Sequence, residues 1–432
     1  MEDITSQLSA TECSPNIPLG MKNRQSSAVM EVVHRHGPCA DESNERKAIL
    51  SRPSAADILR NDHLRVQSIN NRGGDVRSPL ISGDSLDAGN YIVTMGLGTP
   101  EQKQFLILDT GSGVTWAQCK PCHLGECYSQ KGPLFDPSNS SSFSFIPCNS
   151  SDCSLVPHGD YQDCSSSDKC IYSVTYGDGS TTTGYLSIDT LTVSPNVAVP
   201  DFLFGCSEEA GGLFGRVSGL LGLDRGNVSL VSQTADIFHE CFSYCLPSNT
   251  SSKGFLALGK DYDDATQFTP LIFKPEHPSF YYIDITSIAV EGSDLPIGPD
   301  AFTGSVIIDS GTVISRLPSN VYSSLSNKIT EVMTKKYNYS TAPPVEILDT
   351  CFFRKEKDVA PSMSFTFQKN VQIHLDASGI FYVVDKSVMC LAFAGNTDIV
   401  DFIIFGNSQQ KTFEVVYDVA NNKLGFRPGM CA

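Results

Sequence analysis

The chain has 432 residues, of which 40% are hydrophobic and 9% aromatic, and it carries a formal net charge of −17. This length allows two or three domains with cores of their own. No apolar stretch of about 18 residues occurs, which argues against a membrane-spanning helix, and the acidic balance argues against nucleic-acid binding. Residues 1–80 contain ten basic and ten acidic side chains, so the whole excess of negative charge lies in residues 81–432.

The first 85 residues differ in kind from the rest. Residues 1–80 have no Trp, Tyr or Phe and are too poor in large apolar side chains to form a lobe. The segment from Ala55 to Ile69 is helical in pattern and ends in a polar, glycine-containing stretch. We interpret residues 1–85 as a segment separate from the acidic body, with a cut between Arg72 and Asn90. A disordered N-terminal extension is the alternative.

Evidence on export points both ways. Residues Met1–Gly20 lack the basic start and apolar core that are typical of a signal peptide, so a leader is expected to be missing from this chain. In contrast, the chain has 15 cysteines, an unusual number for a protein of the reducing cytosol. Five Asn-x-Ser/Thr sites are also compatible with an exported glycoprotein: Asn139, Asn149, Asn227, Asn249 and Asn338.

The first motif with chemical potential is Asp109-Thr110-Gly111-Ser112. It follows the apolar run 105–108, which predicts a buried strand. An aspartate at the end of a buried strand is costly unless it is hydrogen-bonded or functional. Asp, Thr, Ser and Gly are also common turn residues, so an ordinary turn is the alternative.

A cysteine-rich insertion is predicted at residues 117–170. Its cysteines are Cys119, Cys122, Cys127, Cys148, Cys153, Cys164 and Cys170. Zinc modules often begin with a Cys-x-x-Cys pair, and His123 lies nearby. Irregular spacings and Ser-rich surroundings favour disulfides instead, and no metal is expected.

After the insertion, an alternating strand leads to Tyr176 and the turn Gly177-Asp178-Gly179. Such a hairpin is suited to form a lid over a cleft. Taken alone, Tyr176 and Trp116 are each more typical of ordinary core aromatics. Two helices are then predicted on the outside of the protein, one at residues 230–238 and one at 319–336. The second helix places apolar residues on one face: Val321, Leu325, Ile329 and Val332.

The second motif, Asp309-Ser310-Gly311-Thr312, repeats the first one 200 positions later, again after an apolar run, 306–308. Each motif is followed about 100 residues on by an apolar run with glycine, 219–223 and 402–406. A diverged repeat of this kind predicts two related lobes, residues 86–272 and 273–432, with a site where the two acidic turns meet.

With both motifs in view, the sequence resembles the pepsin family of aspartic proteases, and most closely its plant nepenthesin-like branch. Besides the two motifs, Trp116, the segment 174–180 and the N-terminal stretch 29–39 carry the resemblance, which covers the chain from about Tyr91 to the C-terminus. It implies a mainly β, bilobal fold with two β-barrel-like lobes, a cleft between them and few short helices.

The resemblance also implies the roles of the motif residues. Peptide hydrolysis needs an activated water and a polarised carbonyl oxygen, and a carboxylate paired with a carboxylic acid supplies both. Asp109 and Asp309 would hold the water, without cofactor, metal or covalent intermediate. Other members would support them: Thr110 and Ser310 as a cross-lobe pair, Ser112 and Thr312 as donors to the outer carboxyl oxygens, and Gly111 and Gly311 within the turns. Gly113 departs from the Asp, Asn or Ser expected after the first motif.

Three further expectations come from the same resemblance. Residues 1–85 would be an inhibitory prosegment, whose basic residues lie on the acidic cleft until low pH weakens the pairing. Tyr176, with Gly177, would form the flap and bond to the Trp116 indole. The implied disulfides are Cys119–Cys122, Cys127–Cys206, Cys148–Cys170, Cys153–Cys164, Cys245–Cys431 and Cys351–Cys390, with Cys241 left over and Cys13 and Cys39 in the prosegment.

The predicted function is therefore an endopeptidase that acts on proteins or peptides at acid pH and is made as a zymogen. We expect a monomer, secreted to the apoplast or vacuolar. Two alternatives stay open, a catalytically weak binding or inhibitor protein on the same scaffold and a non-enzymatic storage or wall protein. Both motifs, Trp116 and Tyr176 are present, which favours the enzyme.

Overall fold

The computed structural model describes residues 13–14, 16–21, 28–40, 54–71, 91–122, 127–155, 161–176, 180–212, 214–302, 306–397 and 402–431. Strands of the first half are β1 (Ala28–His34), β2 (Tyr91–Leu97), β3 (Gln102–Asp109), β4 (Trp116–Gln118), β5 (Ser144–Phe145), β6 (Tyr161–Cys164), β7 (Cys170–Thr175), β8 (Thr181–Ser194), β9 (Val197–Gly211), β10 (Gly219–Gly222), β11 (Cys241–Cys245), β12 (Lys253–Leu258) and β13 (Gln267–Pro270).

Strands of the second half are β14 (Tyr282–Ile283), β15 (Ile285–Val290), β16 (Ser293–Asp294), β17 (Val306–Ile308), β18 (Ser315–Leu317), β19 (Thr341–Ala342), β20 (Cys351–Phe353), β21 (Met363–Phe367), β22 (Val371–His374), β23 (Phe381–Val383), β24 (Val388–Leu391), β25 (Phe393–Gly395), β26 (Ile403–Phe405), β27 (Glu414–Asp418) and β28 (Lys423–Arg427). The α-helices within the described ranges are α1 (Ala55–Asn71), α2 (Leu230–Gln233), α3 (Ala235–Phe238), α4 (Ser319–Glu331) and α5 (Ala377–Ile380).

These strands form one large sheet and three smaller ones. The 15-stranded sheet contains β1–β13 together with β27 and β28, so two strands from the end of the chain join the first half. The smaller sheets, of five, four and four strands, are built from β14–β26. The prediction of a mainly β fold with few short helices is confirmed.

Each half repeats one strand arrangement around its acidic turn. In the first half, β10 runs parallel to β3 and antiparallel to β4, and thus lies between the strands on either side of Asp109. In the second half, β26 lies in the same way between β17 and β18, on either side of Asp309. The glycine-containing apolar runs of the sequence are these crossing strands. Gly219 and Gly222 allow the crossing, because an added Cβ would lie 2.0 Å from the Trp116 carbonyl oxygen and 2.1 Å from that of Gly113.

A strand and a helix make the largest contacts between the N-terminal segment and the body, and the amides of Ser14 and Gly20 also donate to the carbonyls of Ser251 and Met430. Strand β1 lies inside the large sheet, with six residue pairs to β12 and three to β2. Helix α1 covers the predicted helical stretch and packs its apolar side chains on the second half of the chain. Leu59 contacts the cluster of Val313 and Ile314, and Val66 and Ile69 contact the cluster around Tyr282. The predicted cut between Arg72 and Asn90 lies outside the described residues.

The predicted outer helices occur with small changes. Residues 230–238 form two short helices rather than one, because the chain turns at Thr234 between them. Residues 319–336 form α4 followed by a π-helical turn, Val332–Lys336. The predicted apolar face is buried at all four positions.

Four of the implied disulfides are wrong. The structure joins Cys119–Cys206, Cys122–Cys127, Cys148–Cys164 and Cys153–Cys170. Strand register explains the first pairing, because Ala117 is paired with Cys206 across β4 and β9, which brings Cys119 within a Cα–Cα distance of 5.4 Å of Cys206. The pairings Cys148–Cys164 and Cys153–Cys170 follow the burial of the four cysteines. Cys153 and Cys170 both lie in the core, whereas Cys148 is half-buried and Cys164 exposed.

The remaining cysteines agree with expectation. Cys245 pairs with Cys431 and Cys351 with Cys390. Cys241 is left over as a buried free thiol. Cys13 and Cys39, for which no pairing was predicted, are joined to each other inside the N-terminal segment.

Candidate active site

The two acidic turns meet, and one guanidinium from helix α1 lies between them. The Nη2 atom of Arg65 is 2.8 Å from Asp109 Oδ1 and 3.0 Å from Asp309 Oδ2. Nη1 also donates to Asp109 Oδ2 at 3.1 Å, and Nε donates to Asp309 Oδ2 at 3.2 Å. Both carboxylates are fully buried, so the guanidinium supplies positive charge where water has little access. The predicted site thus brings its two aspartates together, with a cation from the N-terminal segment bound to both.

Each carboxylate has the same set of donors from its own turn. Ser112 Oγ donates to Asp109 Oδ2, and Thr312 Oγ1 donates to Asp309 Oδ2, both at 2.6 Å. The amides of Gly111 and Gly311 donate to the other oxygens, Asp109 Oδ1 and Asp309 Oδ1, both at 2.9 Å. These near-symmetric donors hold both carboxylates in place and stabilise their ionised forms.

The turns are also joined to each other. The amide of Thr110 donates to Ser310 Oγ at 3.1 Å, and the amide of Ser310 donates to Thr110 Oγ1 at 2.9 Å. Ser310 Oγ donates in turn to the Leu108 carbonyl at 3.1 Å. In the cross-lobe link that the resemblance implied, the backbone amide of each residue therefore donates to the side-chain hydroxyl of the other. It fixes the distance between the two halves at the site.

Glycine is required in both turns by close approach. A Cβ on Gly111 would lie 2.9 Å from Arg65 Nη2 and 3.0 Å from Asp309 Oδ1. A Cβ on Gly311 would lie 2.4 Å from the same nitrogen and 2.5 Å from Asp109 Oδ1. Any larger residue would push the opposite carboxylate away.

The electrostatics of the two carboxyls differ although their donors match. Burial alone would raise the pKa of Asp109, but the Arg65 guanidinium and the Ser112 hydroxyl outweigh it and hold that pKa below its ordinary value. At Asp309, burial and the neighbouring Asp109 charge outweigh Arg65 and raise the pKa above its ordinary value. Burial lowers the pKa of Arg65, but the two carboxylates raise it by more, so the guanidinium stays charged.

The predicted flap contact is formed. Trp116 Nε1 donates to the Tyr176 hydroxyl at 2.8 Å, and both side chains are buried. Phe214 packs edge-on against each ring, with centroid distances of 4.7 Å to Trp116 and 5.5 Å to Tyr176. This cluster supports the start of the hairpin between β7 and β8. The predicted flap residue Gly177 lies outside the described residues.

Gly113, the departure from the expected pattern, has a structural reason. A Cβ at this position would lie 2.8 Å from Asp224 Oδ1. Asp224 is buried, and the same oxygen accepts a hydrogen bond from the Gly226 amide at 2.7 Å. The carboxylate of Asp224 thus occupies space that a side chain at position 113 would need.

A second buried ion pair lies one helical turn from Arg65. Asp62 of α1 accepts from Arg316 Nη2 at 2.9 Å, from the Ile314 amide at 3.2 Å, and from the Val313 amide. Asp62 and Arg316 are 0% and 3% exposed in their side chains. Helix α1 is therefore held to the site by two buried ionic contacts, one through its own anion, Asp62, and one through its own cation, Arg65.

The sequence prediction missed Arg65, Asp62 and Arg316 as individual residues. A signal for Arg65 was available, because helical spacing puts it beside the apolar stripe of Leu59, Val66 and Ile69. The other helical arginine, Arg60, faces away and is half exposed. No sequence signal links Asp62 to Arg316, which lies 254 positions further along the chain.

The described residues contain no cluster of three or more His, Cys, Asp or Glu side chains that could hold a metal ion. Nor does any helix in that part of the chain have the length and apolar character needed to cross a membrane.

A mainly β fold in which two paired Asp-(Thr/Ser)-Gly turns share one site defines an aspartic-protease-like protein. Comparison with known proteins agrees. Family models described as xylanase inhibitor N-terminal and xylanase inhibitor C-terminal match residues 91–260 and 280–428. An aspartyl protease family protein of Arabidopsis thaliana is 41% identical over 93% of this chain and 87% of its own length. Aspartic proteinase nepenthesin-2 of Nepenthes gracilis is 34% identical over 86% of this chain and 85% of its own. The chain belongs to the pepsin family of aspartic proteases, in its plant nepenthesin-like branch.

Solved structures agree on the fold. Basic 7S globulin from soybean superposes with a TM-score of 0.62 at 21% identity, over 81% of this chain and 94% of its own. Conglutin gamma from lupine seeds gives a TM-score of 0.63 at 21% identity, over 79% and 92%. At this level of identity the likeness bears on architecture alone.

Proposed function

We propose that this protein is an aspartic endopeptidase that hydrolyses peptide bonds in proteins at acid pH. The observation that carries the proposal is the pair of buried carboxylates, Asp109 and Asp309, bound to one guanidinium nitrogen and supported by matched donors. Two carboxyls this close do not both ionise easily without a cation, so once Arg65 leaves they are expected to share one proton.

The shared proton defines the chemistry. The ionised carboxylate takes a proton from a water held between the two groups, and the carboxylic acid donates to the carbonyl oxygen of the substrate. The water oxygen bonds to the carbonyl carbon and a gem-diol forms. The carboxyl that took the proton from the water then gives it to the leaving amine as the carbon–nitrogen bond breaks, and a gem-diol hydroxyl returns a proton to the other carboxyl.

We further propose that the chain is a zymogen in which Arg65 blocks the site. The guanidinium occupies the position between the carboxylates that the water would need. Because Arg65 lowers the pKa of both Asp109 and Asp309, its departure raises both values and is coupled to proton uptake. Docking of α1 is therefore strongest where both carboxyls are ionised and is lost as the pH falls through their pKa values in the docked state.

A binding or inhibitor protein on the same scaffold is the second candidate. It has support from the match to xylanase inhibitor models over both halves. Against it, the residues that hydrolysis needs are all present: both aspartates, the two outer hydroxyl donors, Trp116 and Tyr176. The first candidate is therefore favoured.

The test is cleavage of a fluorogenic peptide by the full chain after incubation at pH values from about 3 to about 7. We expect cleavage to begin at about pH 4, near the ordinary pKa of a carboxyl, together with a cut that separates the N-terminal segment from the body on a denaturing gel. A statine-type transition-state mimic should block it, and Asp109→Asn should abolish it. That cut without any cleavage of peptides would favour the binding protein.

We propose a secreted or vacuolar setting for the protein, which its disulfides support. Seven disulfides are present among the described residues, and such cross-linking suits a secreted or vacuolar protein. The acidic character of residues 81–432 suits an acidic medium. A monomeric state remains a prediction, to be measured by light scattering.

A further inference from the structure

The carboxylate of Asp62 lies in a site that belongs to the body of the protein. Its three donors are the amides of Val313 and Ile314 and the guanidinium of Arg316. These residues follow directly after the second acidic turn, so the site continues from the wall that carries Asp309. Two amides and a guanidinium aimed at one carboxylate form a complete anion site.

The donors are held in place without help from α1. Arg316 Nη1 donates to the Ile314 carbonyl at 2.8 Å, which fixes the guanidinium against its own strand segment. Arg316 lies in β18, paired with Ala394 of β25 on one side and with Ile404 of β26 on the other. The arrangement therefore does not depend on Asp62 for its shape.

Departure of α1 would leave this cation unpaired. Burial lowers the pKa of Arg316, and Asp62 offsets part of that effect, so the site gains from holding an anion. A buried arginine without its partner is costly. A group that replaces Asp62 in the open cleft and carries a carboxylate relieves that cost.

We propose that Arg316, with the amides of Val313 and Ile314, forms a substrate subsite that selects an acidic side chain close to the cleaved bond. This inference rests on the proposed endopeptidase function and names a specificity of that same site. Asp62 precedes Arg65 by one helical turn, an axial offset of roughly 5 Å. In an extended substrate, with about 3.3 Å per residue, the acidic residue is then within about three positions of the bond.

The test uses the acid-activated full chain and matched peptides. Each pair carries Glu or Gln at one position, scanned over the three residues on either side of the cleaved bond, at about pH 5, where Glu is mostly ionised. At one position we expect Glu to raise kcat/KM on the order of tenfold over Gln. In Arg316→Gln the ratio of Glu to Gln kcat/KM should fall to about one, because kcat/KM falls more for the Glu peptide than for the Gln peptide. Arg316→Lys should restore part of the preference, because it keeps the charge but not the planar fork.

Two outcomes would overturn the inference. One is the absence of a Glu preference at every position in the wild-type protein. The other is an equal fall in kcat/KM for the Glu and Gln peptides in Arg316→Gln, because that result would mean that Arg316 has only a structural role.

If the wild-type chain cleaves no peptide at all, the proposed function fails separately. The same Glu and Gln peptides are then compared for binding to the acid-treated chain by fluorescence anisotropy. Tighter binding of the Glu peptide that is lost in Arg316→Gln supports the anion site, and equal binding overturns it.

Discussion

Replacing Arg65 with Met should loosen helix α1 while leaving its apolar contacts in place. The Arg65 side chain is 14% exposed, and the side chains of its two partners are 1% and 0% exposed, so the variant removes a cation from a nearly dry site. Breaking a buried ion pair costs about 3–5 kcal/mol. The lower end applies here, because Asp109 and Asp309 can take up one proton and share it once the cation is gone. Opening of the helix should then be on the order of 100-fold more frequent.

The measurement is amide hydrogen exchange over residues 55–71 in the full chain at neutral pH. Arg60→Met is the matched control on the same helix. Arg60 is half exposed and pairs with Glu346 at 2.8 Å, so its loss should change exchange by no more than about threefold. Arg65→Lys keeps the charge and should fall between the two. If Arg65→Met exchanges within about threefold of the wild type, the guanidinium does not hold the helix and the proposed block is wrong.

Three further variants probe separate contacts. Tyr176→Phe removes the hydroxyl that accepts from the Trp116 indole and should lower kcat/KM by roughly tenfold. The thermal midpoint should change little. An unaltered kcat/KM would mean that the flap contact has no part in the mechanism. Gly113→Ala places a Cβ 2.8 Å from the carboxylate of Asp224 and should destabilise the fold by about 1–3 kcal/mol in urea unfolding, and a neutral result would refute that steric account. Asn61 is fully buried in α1 with neither side-chain polar atom hydrogen-bonded, so Asn61→Leu should slow acid release of the helix, and faster release would contradict this.

The sequence predicted those features that repeat locally or follow a short period. The two acidic turns were visible because an apolar strand precedes each of them, and the structure places them together. The face of α4 could be read from a spacing of three and four residues, and Val321, Leu325 and Ile329 are buried as predicted. Both predictions depend on residues that are only a few positions apart in the sequence.

Features set by contacts between distant strands could not be read in this way. The partner of Cys119 is decided by the register of β4 against β9, which brings in a residue 87 positions away. The ion pair of Asp62 with Arg316 likewise depends on where α1 docks. The resemblance implied Cys122 as the partner of Cys119, and the structure pairs Cys119 with Cys206 instead.

Strand β1 has a consequence for how the mature protein should be recognised. A cut between Arg72 and Asn90 would sever the covalent link but leave β1 hydrogen-bonded between β12 and β2. Its buried residues Met30 and Val32 would also remain in the core. The nicked protein is therefore expected to run as two pieces on a denaturing gel and to keep its full mass in native mass spectrometry. Shortening of the chain and exposure of the two carboxylates are separate events, and each needs an assay of its own.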